Sequence, residues 1–141
     1  MDRLPEFIAN HPLLWLALAV VLAALAASEL WRTFRGPRPV SAGEAVRLIN
    51  SVDAVVVDVR SASDFKKGHI LNAVNIPLAG VESRVKEITK DTDRSIVCYC
   101  AIGSAGPQAC LKLKKLGYHN AVALKGGINA WQSAGLPVTT K

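Results

Sequence analysis

The stretch Ser95-Ile-Val-Cys-Tyr99-Cys100-Ala-Ile-Gly-Ser-Ala-Gly106-Pro107-Gln-Ala-Cys110 decides the reading of this chain. Its first five residues form an apolar run with the length and β-branched content of a buried strand. A short loop follows, Ala101, Ile102, Gly103, Ser104, Ala105 and Gly106, and Pro107 then opens a helical pattern. Cys100 therefore stands at the end of a strand, facing a loop whose backbone N–H groups can converge on one point. A helix N-terminus with Pro107 at its first position adds partial positive charge, which favours a thiolate or a sulfur-bound anion. The alternative is a small buried hydrophobe, because free cysteine is among the most buried residue types. A strand-to-loop-to-helix junction is a common ligand site of α/β sheets, and this keeps the nucleophile reading open beside it.

Outward from that unit, strand and helix patterns alternate. A helix is expected over 41–50, with Ser41 as its cap and Glu44 three residues later, then a strand over 54–59 and a short strand over 73–76. An amphipathic helix over 81–89, the strand over 95–99, a helix over 107–116, a strand over 121–124 and a closing helix over 128–134 complete the series. This is an α/β pattern, a central parallel sheet flanked by helices on both faces. The domain, residues 41–138, has about a hundred residues, enough for its own core. No internal repeat or low-complexity segment interrupts it.

Ordered motifs along the same span resemble the rhodanese-like domains of the sulfurtransferase superfamily. They are Val55-Val-Val-Asp58-Val-Arg60, Asp64-Phe65-Lys-Lys-Gly68-His69-Ile70, Ala73-Val-Asn75-Ile76-Pro77, Cys100-Ala-Ile-Gly103, Gly126-Gly127-Ile-Asn-Ala-Trp131 and Gly135-Leu-Pro137-Val. Each tripeptide alone is weak; the ordered set is specific. The resemblance implies a loop cysteine that takes a sulfane sulfur as a persulfide and hands it to a thiophilic acceptor, which is nucleophilic covalent catalysis in two halves. It makes Cys100 the nucleophile and residues 101–106 a backbone N–H cradle, with neither metal nor cofactor. It gives Arg60 an architectural role, paired with the nearby carboxylates of Asp58 and Asp64; the alternative is an ordinary rim salt bridge, which adds little stability. It also makes His69 a structural imidazole rather than a general base.

The loop departs from many active members in having no cationic side chain, so anion attraction rests on backbone dipoles and the Ser104 hydroxyl. Thiosulfate becomes a doubtful donor on that ground, and a phosphatase variant is disfavoured because phosphate transfer wants a bidentate guanidinium beside the thiolate. Cys98 shares a strand face with Cys100, but a lone Cys-x-Cys is poor zinc spacing. Cys110 falls with Leu113 and Leu116 on the apolar side of the following helix, opposite Lys112, Lys114 and Lys115, so it reads first as core and only then as a resolving thiol. Three cysteines, an odd number, argue against a disulfide framework and fit a reducing compartment.

Ahead of the domain, residues 13–27 are all apolar, and residues 12–31 contain only Ser28 and Glu29 as polar exceptions. Twenty helical residues rise about 30 Å, a bilayer core. Trp15 and Trp31 lie near the two ends, where aromatic belts sit, and Glu29 can pair with Arg32. The expected organisation is an N-terminal tail over 1–11, a transmembrane helix over 12–31, a basic linker over 32–40 and the domain. A cleavable signal peptide wants a basic start, whereas residues 1–11 hold Asp2 and Glu6 against Arg3. Arg32, Arg35 and Arg38 follow the apolar run, so the positive-inside rule puts the domain in the cytoplasm and the N-terminus outside, with the linker arginines against anionic head groups. Alanines at 17, 19, 23, 24, 26 and 27 offer a small-residue surface for helix packing.

The net charge of +6 is spread over many lysines with no aromatic strip among them, which favours a surface beside anionic lipid over direct nucleic-acid binding. Two functions are expected from this. The first is a membrane-anchored sulfurtransferase whose partners are a sulfur donor, a thiol acceptor and the bilayer. The second is a catalytically quiet module of the same fold that docks a membrane protein.

Overall fold

The computed structural model describes residues 11–141. The tail expected over 1–11, with Asp2, Arg3 and Glu6, lies outside the described residues except for His11. The side chains of residues 32–35 lie outside them too, and with them the expected Glu29–Arg32 pair. The chain divides into two units, residues 1–36 and 37–141.

Among its described residues the first unit holds one helix, α1 (Pro12–Arg35), four residues longer than the apolar run 12–31. Its span Pro12–Trp31 has a mean hydropathy of 2.3 and no buried residue, and by length and composition it is able to cross a membrane. The Ser28 hydroxyl donates to the Leu25 carbonyl at 2.8 Å, which satisfies the one hydroxyl in the run.

The second unit is a five-stranded sheet in the order β1-β6-β5-β2-β4, with every neighbouring pair parallel. Its strands are β1 (Pro39–Val40), β2 (Val55–Asp58), β4 (Val74–Asn75), β5 (Ile96–Tyr99) and β6 (Ala121–Leu124). Between them run α2 (Ala42–Ser51), α3 (Ala62–Lys67), a 3₁₀ turn (Leu78–Gly80), α4 (Val81–Ile88), α5 (Ala105–Lys115) and α6 (Gly127–Ser133). A separate antiparallel pair joins β3 (His69–Ile70) to β7 (Val138–Thr139).

Period-two alternation along β5 builds both cores. Ile96 and Cys98 face α4 and α5, where Val81, Val85, Ile88, Ala109, Cys110 and Leu113 close one layer. Val97 and Tyr99 face α2 and α6, where Ala45, Ile128 and Trp131 close the other. At ~25 cal/mol per Å² of apolar area, each such fully buried Val or Leu contributes about 1.5–3 kcal/mol.

α2 begins as its sequence predicts. Ser41, in extended backbone, accepts the Glu44 N–H on its hydroxyl at 3.2 Å. Two expectations need correction. Pro39 and Val40, placed in the linker, form edge strand β1 against Ala123 and Leu124; an edge is where a proline without an N–H can join a sheet. Arg38 pairs with Glu44 while its side chain stays largely exposed. Leu116, placed on the apolar face of α5, is exposed, because the helix ends at Lys115 and the chain turns away at Gly117 with φ +95°.

Candidate active site

In a parallel sheet all strand C-termini meet at one edge, and here that edge gathers Asp58 from β2, Cys100 after β5 and Lys125 after β6. Cys100 lies one residue past β5 and is 5% exposed. Its Sγ accepts the Gly103 N–H at 3.0 Å and the Ala105 N–H at 3.3 Å. Burial pushes the thiol up, but backbone N–H groups of Gly106, Ala105, Gly103 and Ile102 together outweigh it, and the Cys100 pKa falls below its ordinary value.

The loop closes this way because α5 begins earlier than Pro107 suggests. Ala105 is its first residue and Pro107 its third. All first-turn N–H groups lack intrahelical acceptors, so the missing proline donor is tolerated anywhere in that turn. Ser104, at the cap, makes no side-chain capping bond, and the sulfur receives the Ala105 donor in its place. Of the loop residues, Ala101, Ile102 and Ser104 are exposed, Ile102 at 68%; Gly106 is buried; none is charged.

Glycines outside the loop let the chain approach it. Gly127, at φ +59°, lies so close that a Cβ there would sit 2.3 Å from the Cys100 carbonyl oxygen and 2.7 Å from that of Ala101. The Ile128 N–H donates to the Cys100 carbonyl at 2.9 Å and Asn129 to that of Ala101 at 3.2 Å. Gly103, at φ +95°, abuts the Gly126 nitrogen. The role of the Gly126-Gly127 pair is spatial, and only its place in the motif marks it in the sequence.

Asp58 and Arg60 are brought together, and the exposed-rim alternative does not hold. The Asp58 side chain is fully buried and that of Arg60 is 11% exposed. Arg60 Nη2 also donates to the Gly68 carbonyl at 2.7 Å, and the Arg60 guanidinium lies 5.6 Å from the centroid of the Tyr99 ring. Asp64 does not join them. It makes no hydrogen bond to Arg60; its N–H is capped by Ser61, it accepts from the Ser61 hydroxyl at 3.0 Å, and it faces Lys67 at 3.5 Å. These contacts, Ser61 first, hold its carboxyl below the usual range. The cause is α3, which the turn-like motif hid: Asp64 is in its first turn. Asn75 is a positioning residue the sequence did not single out. Its amide donates to the carbonyls of Asp58 at 3.1 Å and Arg60 at 3.0 Å, pinning the turn between them.

His69 is buried against Phe65, rings 3.7 Å apart and nearly parallel, with its two nitrogens at the carbonyl oxygens of Phe65 and Lys141. Cys98 and Cys110 are fully buried, and a hydrogen bond between them, with burial, holds the Cys98 thiol well above its ordinary range. No group of three or more metal-ligating side chains exists among the described residues.

Comparison with known proteins places this geometry. A profile of the rhodanese-like domain matches residues 41–134. The uncharacterized protein YibN of Escherichia coli strain K12 is 31% identical over 139 residues, covering 98% of this chain and 97% of its own. A sulfurtransferase of Allochromatium vinosum is 38% identical over 92 residues, covering 65% of this chain and 84% of its own. The crystal structure of a rhodanese-related protein from Thermoplasma volcanium superposes with a TM-score of 0.66 at 30% identity, over 74% of this chain and 99% of that one. By the matched profile, the shared length and the parallel sheet that carries Cys100 into its loop, the chain belongs to the rhodanese-like domain family.

Proposed function

We propose that this protein is a membrane-anchored sulfurtransferase that carries a sulfane sulfur on Cys100. Family membership and the sulfurtransferase relative support a sulfurtransferase-family role, and the observation that carries the mechanism is the pair of N–H groups aimed at Cys100 Sγ. In the first half-reaction the Cys100 thiolate attacks the sulfane sulfur of the donor. The bond from that sulfur to the rest of the donor breaks, the leaving group takes the electron pair, and a Cys100 persulfide remains. In the second, an acceptor thiolate attacks the outer sulfur, the S–S bond breaks, and Cys100 regains its thiolate. The acceptor's proton goes to solvent, and no external oxidant or reductant is consumed. Residues 101–106 hold the thiolate and the terminal sulfur through N–H groups, while Asp58 and Arg60 shape the neighbouring loops.

The anchor is the apolar helix Pro12–Trp31, with the domain in the cytoplasm and the N-terminus outside by the arginines that follow it. Similarity to YibN over 98% of the chain runs through this segment as well as the domain, in keeping with a common organisation. A cytoplasmic position keeps Cys100 reduced between turnovers.

The test is intact-mass analysis of the full chain in detergent, after thiosulfate and, separately, a persulfide donor. Wild type gains one sulfur, about 32 Da, and Cys100→Ser gains none. Absence of any adduct with either donor overturns the reading. The uncharged loop with exposed Ile102 favours one second reading, a quiet module that docks a membrane protein. On that reading Cys100→Ala keeps the cellular phenotype and deletion of residues 1–31 abolishes it.

A further inference from the structure

A pocket of about 250 Å³ opens beside the Cys100 loop. Ala101 forms one side, α3 contributes Lys67 and Asp64, and α6 contributes Asn129 and Gln132. The last two are one helical turn apart and exposed, and neither carboxamide has a hydrogen-bond partner among the described residues. Arg60 also reaches the pocket, with its Nε and Nη2 donors taken by Asp58 and Gly68. Lys67 is 77% exposed and among the described residues is held only by Asp64 at 3.5 Å, a pair weak enough for an incoming carboxylate to compete with.

The charge around the thiol has a particular layout. Its centre, Ala101 and Ile102, is neutral, and Ile102 projects an exposed apolar side chain. Cations stand at the periphery: Lys67 of α3, in the pocket lining, and Lys125 next to Gly126, whose nitrogen abuts Gly103. Lys125 has no ion pair among the described residues. A small anion bound at Cys100 meets backbone N–H groups and no cation of the loop. An acceptor with a thiol at its centre and carboxylates several ångströms away meets both.

We infer that this pocket and the Ile102 tip dock the acceptor of the sulfur, a cysteine on an extended protein segment flanked by acidic side chains. The segment's backbone amides pair with the Asn129 and Gln132 carboxamides, each of which offers both donor and acceptor. Its carboxylate takes Lys67, and its apolar neighbours cover Ile102. Transfer then follows the step already balanced: the partner's cysteine thiolate attacks the outer sulfur and Cys100 leaves. This inference rests on the sulfurtransferase reading.

The experiment starts from full-length protein in detergent, loaded with sulfur from inorganic polysulfide and freed of excess donor. Sulfur loss is followed by mass against two synthetic peptides that differ only in whether their cysteine is flanked by Asp or by Lys, and against glutathione. The acidic peptide is expected to react about tenfold faster than the basic one. Lys67→Glu reverses that preference, Lys67→Ala erases it, and Lys115→Glu, at the far end of α5, leaves it unchanged. Equal rates for the two peptides, or a preference that Lys67→Glu does not move, overturn the docking site while leaving the sulfurtransferase reading intact. Glutathione matching the acidic peptide overturns the protein segment as occupant. Failure of Cys100 to load sinks the sulfurtransferase reading itself, and this inference with it.

Discussion

Asp58 and Arg60, two residues apart, are joined by a forked ion pair inside the protein: Arg60 Nε lies 3.0 and 3.1 Å from the two carboxylate oxygens and Nη2 lies 2.6 Å from Oδ2. The Arg60 backbone N–H adds a fourth bond to Oδ1 at 2.9 Å. The pair ties the end of β2 to Gly68 before β3, and so fixes one wall of the pocket beside Cys100.

Breaking this pair leaves a charge where water does not reach. Arg60→Ala is expected to cost about 3–5 kcal/mol, since the Asp58 carboxylate is left buried without its partner. Asp58→Leu with Arg60→Met, which removes both charges, is expected to cost clearly less than the sum of the single changes. Urea unfolding of the four proteins checks this; additive losses make the pair no more than a rim contact.

The Cys100 thiol predicts a pH dependence of defined sign. Its folded pKa is depressed, so between that value and the unfolded one, about 8.5, the native state binds fewer protons than the unfolded chain. Stability from this group is therefore complete above the unfolded pKa and is lost as pH falls through the folded one. Alkylation of native protein by iodoacetamide should modify Cys100 alone, with a midpoint below that of the same cysteine in the unfolded chain, and spare Cys98 and Cys110. A midpoint at or above that of a free thiol removes the N–H cradle from the mechanism.

The strand–loop–helix unit was legible because apolar runs of four or five residues and their helical successors carry a strong period, and β2, β5 and β6 lie within a residue of where the pattern puts them. Two-residue strands carry no period of their own; β4 falls inside the short strand expected over 73–76, but β1, β3 and β7 were invisible: Pro39-Val40 reads as linker, and His69-Ile70 only as a turn. α3 hid for a related reason, its six residues burying none of their side chains, so that no apolar stripe marks it. Cys100 itself was legible from its junction. What holds the site in place was not, because Gly127 abuts Cys100 from 27 positions away in the chain and Asn75 pins Asp58 from 17 positions away.

The two glycine environments make a matched test. Gly127→Ala puts a methyl group against the backbone of Cys100 and Ala101 at positive φ, where nothing can yield cheaply, so it should lower stability by more than about 1 kcal/mol and slow Cys100 alkylation. Gly43→Ala, inside α2 with open space around it, should raise stability by about 0.5–1 kcal/mol and leave the thiol alone. Thermal melts with alkylation rates read both; equal effects at the two sites would mean the loop is not clamped by Gly127.

His69 is bonded to main-chain oxygens and stacked on Phe65, which is the work of a strut. His69→Gln is expected to lose roughly 1 kcal/mol for each unmade bond while leaving the pH profile of sulfur loading in place. A profile that loses one limb in His69→Gln identifies the imidazole as a proton carrier and contradicts the structural role.

The apolar helix carries the last prediction, because every residue of its span Pro12–Trp31 is exposed. If lipid is what covers it, a charge at mid-span costs about 2.5–3.5 kcal/mol of insertion, enough to shift a marginal anchor measurably. Leu22→Arg should move protein from the carbonate-resistant membrane fraction toward the soluble one, while Leu22→Ile should not. Orientation follows from the arginines beyond the helix: with them intact, a cysteine placed at residue 2 in a Cys98→Ala, Cys100→Ala, Cys110→Ala background is labelled by an impermeant maleimide added to intact cells. Arg32→Glu with Arg35→Glu weakens the bias that retains this side and should reduce that labelling. Labelling of a tag at the domain end of the chain in the unmodified arrangement would place the domain outside, and with it the reducing environment that the thiol of Cys100 requires would be gone.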